Sequence, residues 1–317
     1  MSASEDNAPP PYRFEEAGAL PYDDNGHVLV RKVGCVGEVI LNRPERMNAL
    51  LMGMGEAVHR AFDDLSRDEN LKCVVFRGVG RAFSTGGDVA WLGNQYSSDE
   101  DAAAAKEGKK VRTSQRRRLQ HDEHGHKVFE AISECNKVVI VAAQGYVLGV
   151  ALDWFMAADI AICQEGTQLG YPPARMIGAT GMSALHWMLR MGPTLHAEMC
   201  LLGRYIDAQE ACDRGLINRV APADRFEDTV AAATEMIASM PADGLAIGKY
   251  NRKVAFEILG VRASLLQSAM AHAMQVQQKM EPGEWNIVRE RELYGVKGAY
   301  QRRDERFKEA SRRFSGV

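Results

Sequence analysis

Two places in this sequence set backbone donors beside an acid. The first is Gly149-Val150-Ala151-Leu152-Asp153-Trp154, which follows the apolar run Val138-Val139-Ile140-Val141 and a break at Gln144-Gly145-Tyr146. After Gly149 the apolar residues Leu152, Phe155, Met156 and Ile160 recur at helical spacing, so a helix begins near Val150. Its first turn presents unpaired N–H groups and the positive end of the helix dipole to whatever lies at the strand end, and such a terminus can hold a developing oxyanion. Asp153 falls in that first turn. A carboxylate there is either an acid/base group or one the dipole favours for structural reasons, and this stretch alone leaves both readings open.

The second place is Gly86-Gly87-Asp88, between the apolar run Leu71 to Arg77 and the start Val89-Ala90-Trp91. Glycines at a strand-to-helix turn let a backbone N–H approach a ligand with no side chain in the way, although many such turns are only turns. His121, His124 and His126 lie close together further on, at spacings that suit a metal site poorly. The run Arg116-Arg117-Arg118 reads as a solvated face, or as a contact for a phosphorylated ligand.

These groups need a scaffold. At 317 residues and 46% hydrophobic composition the chain can bury a substantial core. A net charge of −3 gives no global field for nucleic acid or anionic lipid. Six cysteines without a CxxC pair imply a reduced, cytoplasmic protein, and the N-terminus lacks the basic and apolar regions of a secretory signal.

Residues 1–27, rich in Pro, Asp, Ser and Ala, read as a mobile arm. From 28 to 44 two alternating runs form a hairpin, and Asn48 is a candidate N-cap for the helix that follows. Buried strands are expected at 71–77 and 138–141. Polar residues at about 93–120 read as an insertion, Asp207 as an N-cap, and the chain is mainly helical from 226 to 317. The β-β-α pattern recurs through 28–225, so the fold class is α/β with a layered or spiral arrangement.

The segments LNRPERMNAL, FRGVGRAFSTGGDVAWL, VVIVAAQGYVLGVALDWFMAADIAI, LGYPPARMIG and LGRYIDAQEACDRGLINRVAP occur in an order and spacing that resemble the crotonase superfamily, the enoyl-CoA hydratase/isomerase family. The resemblance implies a crotonase-like spiral of β-β-α repeats with a C-terminal helical region that packs trimers or dimers of trimers. It implies action on acyl-CoA thioesters with no cofactor other than the coenzyme A carried by the substrate; the composition and spacing add an expectation of no metal, no membrane and no nucleic-acid partner.

By the same resemblance, the N–H groups of Gly87 and Val150 polarise the thioester carbonyl, and Asp153 is the acid/base carboxylate. Arg46, Met47, Thr85, Asp88 and Val89 would hold the coenzyme moiety, and Tyr171 and Arg175, which flank the position of the family's second acid, are further substrate-binding candidates. Tyr300, Phe307 and Lys308 on the terminal helix would reach a neighbouring subunit's ligand. His126 falls where related dehalogenases carry an active-site histidine, but their nucleophilic aspartate position falls on Gly181 here, and a core or surface histidine is the other reading. The insertion at 93–120 lies where family members shape the acyl pocket.

One departure is plain. Hydratases of the family place a second acid about twenty residues after the first, and here that position is Pro173, which has no proton to give. Hydration by two carboxylates is therefore in doubt. A crotonase-fold protein without turnover, binding coenzyme A or contacting RNA or a partner through Lys109, Lys110 and Arg116 to Arg118, is the alternative.

Overall fold

The computed structural model describes residues 12–15, 18–89, 114–178, 183–275 and 278–316, with the side chain of His124 left out. Most of the expected 93–120 insertion, Lys109 and Lys110, and residues 1–11 of the expected arm lie outside the described residues. The strands are β1 (Leu20–Pro21), β2 (Val28–Val33), β3 (Val36–Leu41), β4 (Cys73–Gly78), β5 (Val138–Ala143), β6 (Tyr146–Leu148), β7 (Ile160–Gln164), β8 (Gln168–Gly170), β9 (Ile206–Asp207) and β10 (Arg219–Ala221). The helices are α1 (Met52–Arg67), α2 (Gln115–Ser133), α3 (Val150–Ala157), α4 (Ala174–Ile177), α5 (Ala184–Cys200), α6 (Ala208–Asp213), α7 (Phe226–Ala238), α8 (Ala242–Ile258), α9 (Val261–Gln275) and α10 (Ile287–Ser315).

Two sheets arise from one alternation. β5 and β7 enter the seven-stranded sheet, ordered β1-β2-β3-β4-β5-β7-β10, while β6 and β8 join β9 in a three-stranded sheet. Each pair of strands is followed by a helix, which is the β-β-α turn expected from the sequence. Strands β3, β4, β5, β7 and β10 run parallel, so both faces are covered, and their near-continuous apolar runs follow from that. The β2–β3 hairpin closes one side antiparallel, with Val33 opposite Val36.

The core is tied to the turn that carries Gly86 and Gly87. Helix α1 buries Met54, Ala57, Val58, Ala61, Phe62 and Leu65, a helical stripe that leaves its charged residues to solvent. Edge-to-face aromatic contacts then run from Phe62 to Phe76, Phe83 and Phe155, at centroid distances of 5.5, 5.1 and 6.2 Å. They connect α1, β4, the segment just before the glycine turn, and α3.

Two expectations need correction. Asn48 is not an N-cap: α1 begins four residues later after Leu51, and Asn48 is buried with φ 53°. Its Oδ1 accepts the Arg43 N–H at 2.7 Å and its Nδ2 donates to the carbonyls of Val79 and Ala82, so the amide ties three loop segments together. Asparagine tolerates the left-handed conformation better than most residues.

The described part of the N-terminal stretch is also packed rather than loose. Tyr12 is buried and its hydroxyl donates to Glu38, Arg31 donates to the Arg13 carbonyl at 2.9 Å, and the Arg77 guanidinium lies 3.5 Å over the Phe14 ring. Leu20–Pro21 adds an edge strand to β2. Composition missed this because the anchoring groups are few and their partners lie far along the chain.

Candidate active site

The two glycine turns meet backbone against backbone. Ser84 bridges Val147 and Leu50 bridges Gly87, which extends the small sheet's pairing up to both turns. The Ser84 N–H donates to the Tyr146 carbonyl, the Leu148 N–H to the Ser84 carbonyl, and the Gly149 N–H to the Gly170 carbonyl. At Gly86, with φ 83°, a Cβ would stand 2.5 Å from the Leu148 carbonyl oxygen and 3.4 Å from the Gly149 Cα. Only glycine permits that approach.

The turn at Gly149, with φ 61°, then opens α3, so the Val150 N–H is the first of the helix. Among the described residues no acceptor faces the N–H of Gly87 or of Val150. Both residues line one cavity of about 650 Å³. Two unpaired N–H groups from adjacent turns, one at a helix N-terminus, form a site for a carbonyl oxygen that gains negative charge.

The cavity collects most of the residues singled out from the sequence. Arg46, Met47, Thr85, Asp88 and Val89 line it beside Gly87, with Arg43 holding the Asp88 carboxylate at 2.7 Å. Tyr171, Pro173, Tyr300 and His126 also stand on its wall. Leu50, Leu51, Met52, Val128 and Met176 make much of the remaining surface apolar.

Asp153 does not line the cavity. It is 1% exposed and Trp187 Nε1 donates to its Oδ1 at 2.8 Å. The Trp187 ring packs edge-on to Tyr171, which does line the cavity, at 5.3 Å. Burial pushes the Asp153 carboxyl up to about 7, with the indole hydrogen bond pulling it partly back. The expected acid/base is thus a group behind the wall. Its neighbour Trp154 is on the wall, with a buried indole N–H that has no acceptor among the described residues.

Arg175 also stands elsewhere than expected. Its Nε donates to the Gly203 carbonyl at 2.6 Å, its Nη1 lies 3.1 Å from Asp304, and its guanidinium stacks 3.7 Å over Tyr205 and 5.0 Å from the Phe307 centroid. It fastens α4 to α10. Phe307 belongs to this fastening, and Lys308 is exposed beside Glu305 at 3.7 Å, so neither is on the cavity wall of its own chain. Arg116 and Arg117 are exposed in the first turn of α2, where Ser114 caps the Arg117 N–H.

Residues the sequence did not single out complete the wall: Asp122 from α2, His272 from α9 and Arg303 from α10. His272 Nδ1 lies 3.0 Å from Asp122 Oδ1. Asp122 had a signal, since it precedes His126 by four residues and so shares a helical face with it. His272 had none, because its partner is about 150 residues away and only the packing of α9 on α2 joins them.

Comparison with known proteins bears on the family and the fold. Residues 31–292 match the family model described as enoyl-CoA hydratase/isomerase. The chain is 25% identical over 252 residues to a putative enoyl-CoA hydratase of Thermus thermophilus, covering 79% of this chain and 89% of that one. It is 29% identical over 233 residues to a probable enoyl-CoA hydratase of Rhizobium meliloti, covering 72% and 82%. The crystal structure of an enoyl-CoA hydratase from Mycobacterium smegmatis superposes with a TM-score of 0.77 at 22% identity, over 88% of this chain and 93% of that one, a likeness of fold. An enoyl-CoA hydratase/isomerase from Xanthobacter autotrophicus Py2 gives 0.71 at 25% identity over 88% and 98%.

Proposed function

The chain belongs to the enoyl-CoA hydratase/isomerase family of the crotonase superfamily and is an acyl-CoA enzyme, and from that premise we propose that it works by forming a thioester enolate between the N–H groups of Gly87 and Val150. The observation that carries this reading is the pair of backbone donors on one cavity wall that have no acceptor among the described residues. When a proton leaves the carbon beside a thioester carbonyl, the charge moves to the carbonyl oxygen. Donors already in place stabilise that charge without reorganising, and losing one typically costs about 3 to 4 kcal/mol of transition-state stabilisation.

The cavity supports the rest of the assignment. Its rim at Arg46, Met47, Thr85 and Asp88 would take the coenzyme portion, leaving the apolar depth between α1, α2 and α4 for the acyl chain. The same reading has α8 to α10 packing copies of the chain into trimers, for which exposed Ile247, Val254, Ile258, Met270 and Met274 supply apolar surface.

Double-bond migration and addition of water both develop negative charge on the thioester oxygen. Incorporation of deuterium from D₂O into saturated, 2-enoyl and 3-enoyl thioesters of coenzyme A, followed by mass spectrometry, tests the reading. Exchange is expected in the wild-type protein. A thioester panel that binds without any exchange refutes it.

A further inference from the structure

The expected carboxylate is behind the wall and residue 173 is a proline, so a cavity built to stabilise an enolate has no proton carrier at either family position. Helix α2 brings one to the cavity. Asp122, Gly125 and His126 share a face of α2 that lines the cavity, and Gly125 leaves that face recessed, since a Cβ there would meet nothing within 4 Å. His272 reaches the same place from α9, its Nδ1 3.0 Å from Asp122 Oδ1. A carboxylate so placed fixes a hydrogen on Nδ1 and orients the ring.

We propose that the cluster of Asp122, His126 and His272 performs proton transfer in this enzyme, with His126 the catalytic residue at the acyl chain and the Asp122–His272 pair tuning it electrostatically from the same wall. The inference rests on the enolate reading above. In the step, the neutral His126 imidazole takes a proton from the carbon beside the thioester carbonyl. The C–H electron pair becomes the new C–C π bond while the carbonyl π pair moves to oxygen, where the Gly87 and Val150 N–H groups hold it. The imidazolium then returns its proton to the same carbon or, along an enoyl chain, to the conjugated one. The net change is exchange or double-bond migration, and no co-reactant is consumed.

The surroundings suit a base at neutral pH. Burial pushes His126 below the ordinary imidazole range, the Asp122 carboxylate pulls it back up, and His272 lowers it further. His121 on its own helix, Glu56 on α1, Tyr300 and Arg303 on α10, and Asp88 and Arg46 at the rim face the same cavity.

The test is the deuterium-exchange rate of the full chain across pH, with thioester affinity and circular dichroism measured in parallel. His126→Gln is expected to lose about 100- to 10,000-fold in exchange with folding and thioester binding retained, the usual range for removing a general base. Added imidazole is expected to restore part of the rate to His126→Gly. The acid limb of the profile should move to lower pH in Asp122→Asn and to higher pH in His272→Gln, opposite shifts that a loss of packing would not produce.

Asp153→Asn should keep exchanging. If His126→Gln exchanges at the wild-type rate while Asp153→Asn is inactive, the proton carrier is on α3, and this inference falls while the enolate reading stands. If the wild-type protein binds thioesters and exchanges none, both fall together.

Discussion

Trp187 Nε1 donates to Asp153 Oδ1 at 2.8 Å, and through that bond a carboxyl three residues into α3 is joined to the wall of a cavity it does not enter. Trp187 in turn stands edge-on to Tyr171, so the acid, the indole and the phenol form a buried stack. Asp153 thus bears on the wall through Trp187 and Tyr171.

A pH-dependent stability follows. The Asp153 carboxyl titrates near 7 in the folded protein and near 3.8 when exposed, so the folded state holds the proton more tightly. Stability contributed this way is present at low pH and is lost as pH rises from about 4 to about 7, where the unfolded chain ionises first. Asp153→Asn keeps an acceptor for Trp187 and cannot ionise. Its melting temperature should gain on the wild type across that window and then hold a constant lead, as thermal denaturation from pH 4 to 8 would show.

Trp187→Phe should behave oppositely. It leaves the Asp153 carboxyl buried without its donor, at a cost of about 1 to 3 kcal/mol. The carboxyl should titrate higher still, because the lost hydrogen bond was the one influence lowering it. Chemical denaturation at pH 6 and pH 8 would measure both effects.

Gly86→Ala tests the oxyanion site itself. The new methyl would sit 2.5 Å from the Leu148 carbonyl oxygen at a φ of 83°, so the two turns must part. Exchange activity should fall by about 100-fold or more, the scale for losing one oxyanion donor, with some loss of stability as well. Steady-state exchange kinetics beside a melting curve would separate the two.

Arg175→Ala should act on stability and spare the reacting centre. It removes a 2.6 Å bond to the Gly203 carbonyl, an ion pair with Asp304 and stacking on Tyr205 and Phe307. A loss of about 2 to 3 kcal/mol is expected from one charged hydrogen bond plus cation–π contacts. If Arg175 bound the substrate directly, the Michaelis constant would rise at temperatures where the variant is fully folded, and it should not.

Asn48→Ala removes three hydrogen bonds from a buried left-handed residue that ties Arg43, Val79 and Ala82 together. A loss above about 2 kcal/mol is expected, since three polar groups lose partners and alanine is strained at that φ. Urea denaturation would read it.

Much of this protein is legible in its residues alone. The apolar run at β5, the break at Gly149 and the helical spacing after it are local, and they place the Val150 N–H at a helix start without any tertiary information. The Gly86-Gly87 turn is legible for the same reason: a requirement for glycine is a property of one backbone position. The β-β-α alternation and the helical C-terminal region follow from patterns of that kind.

The chemistry of the site was decided by the tertiary structure. Sequence distance along α3 says where Asp153 lies on the helix, but only the packing of α5 against α3 turns the carboxyl toward an indole, away from the cavity. Arg175 is next to the pocket in sequence and is drawn off by Tyr205, Phe307 and Asp304. Asp122 and His272 come together only because α2 packs on α9. Backbone donors are set by local conformation, which neighbours in sequence dictate. Which titratable side chains meet in a cavity depends on long-range packing, which no short stretch of sequence encodes.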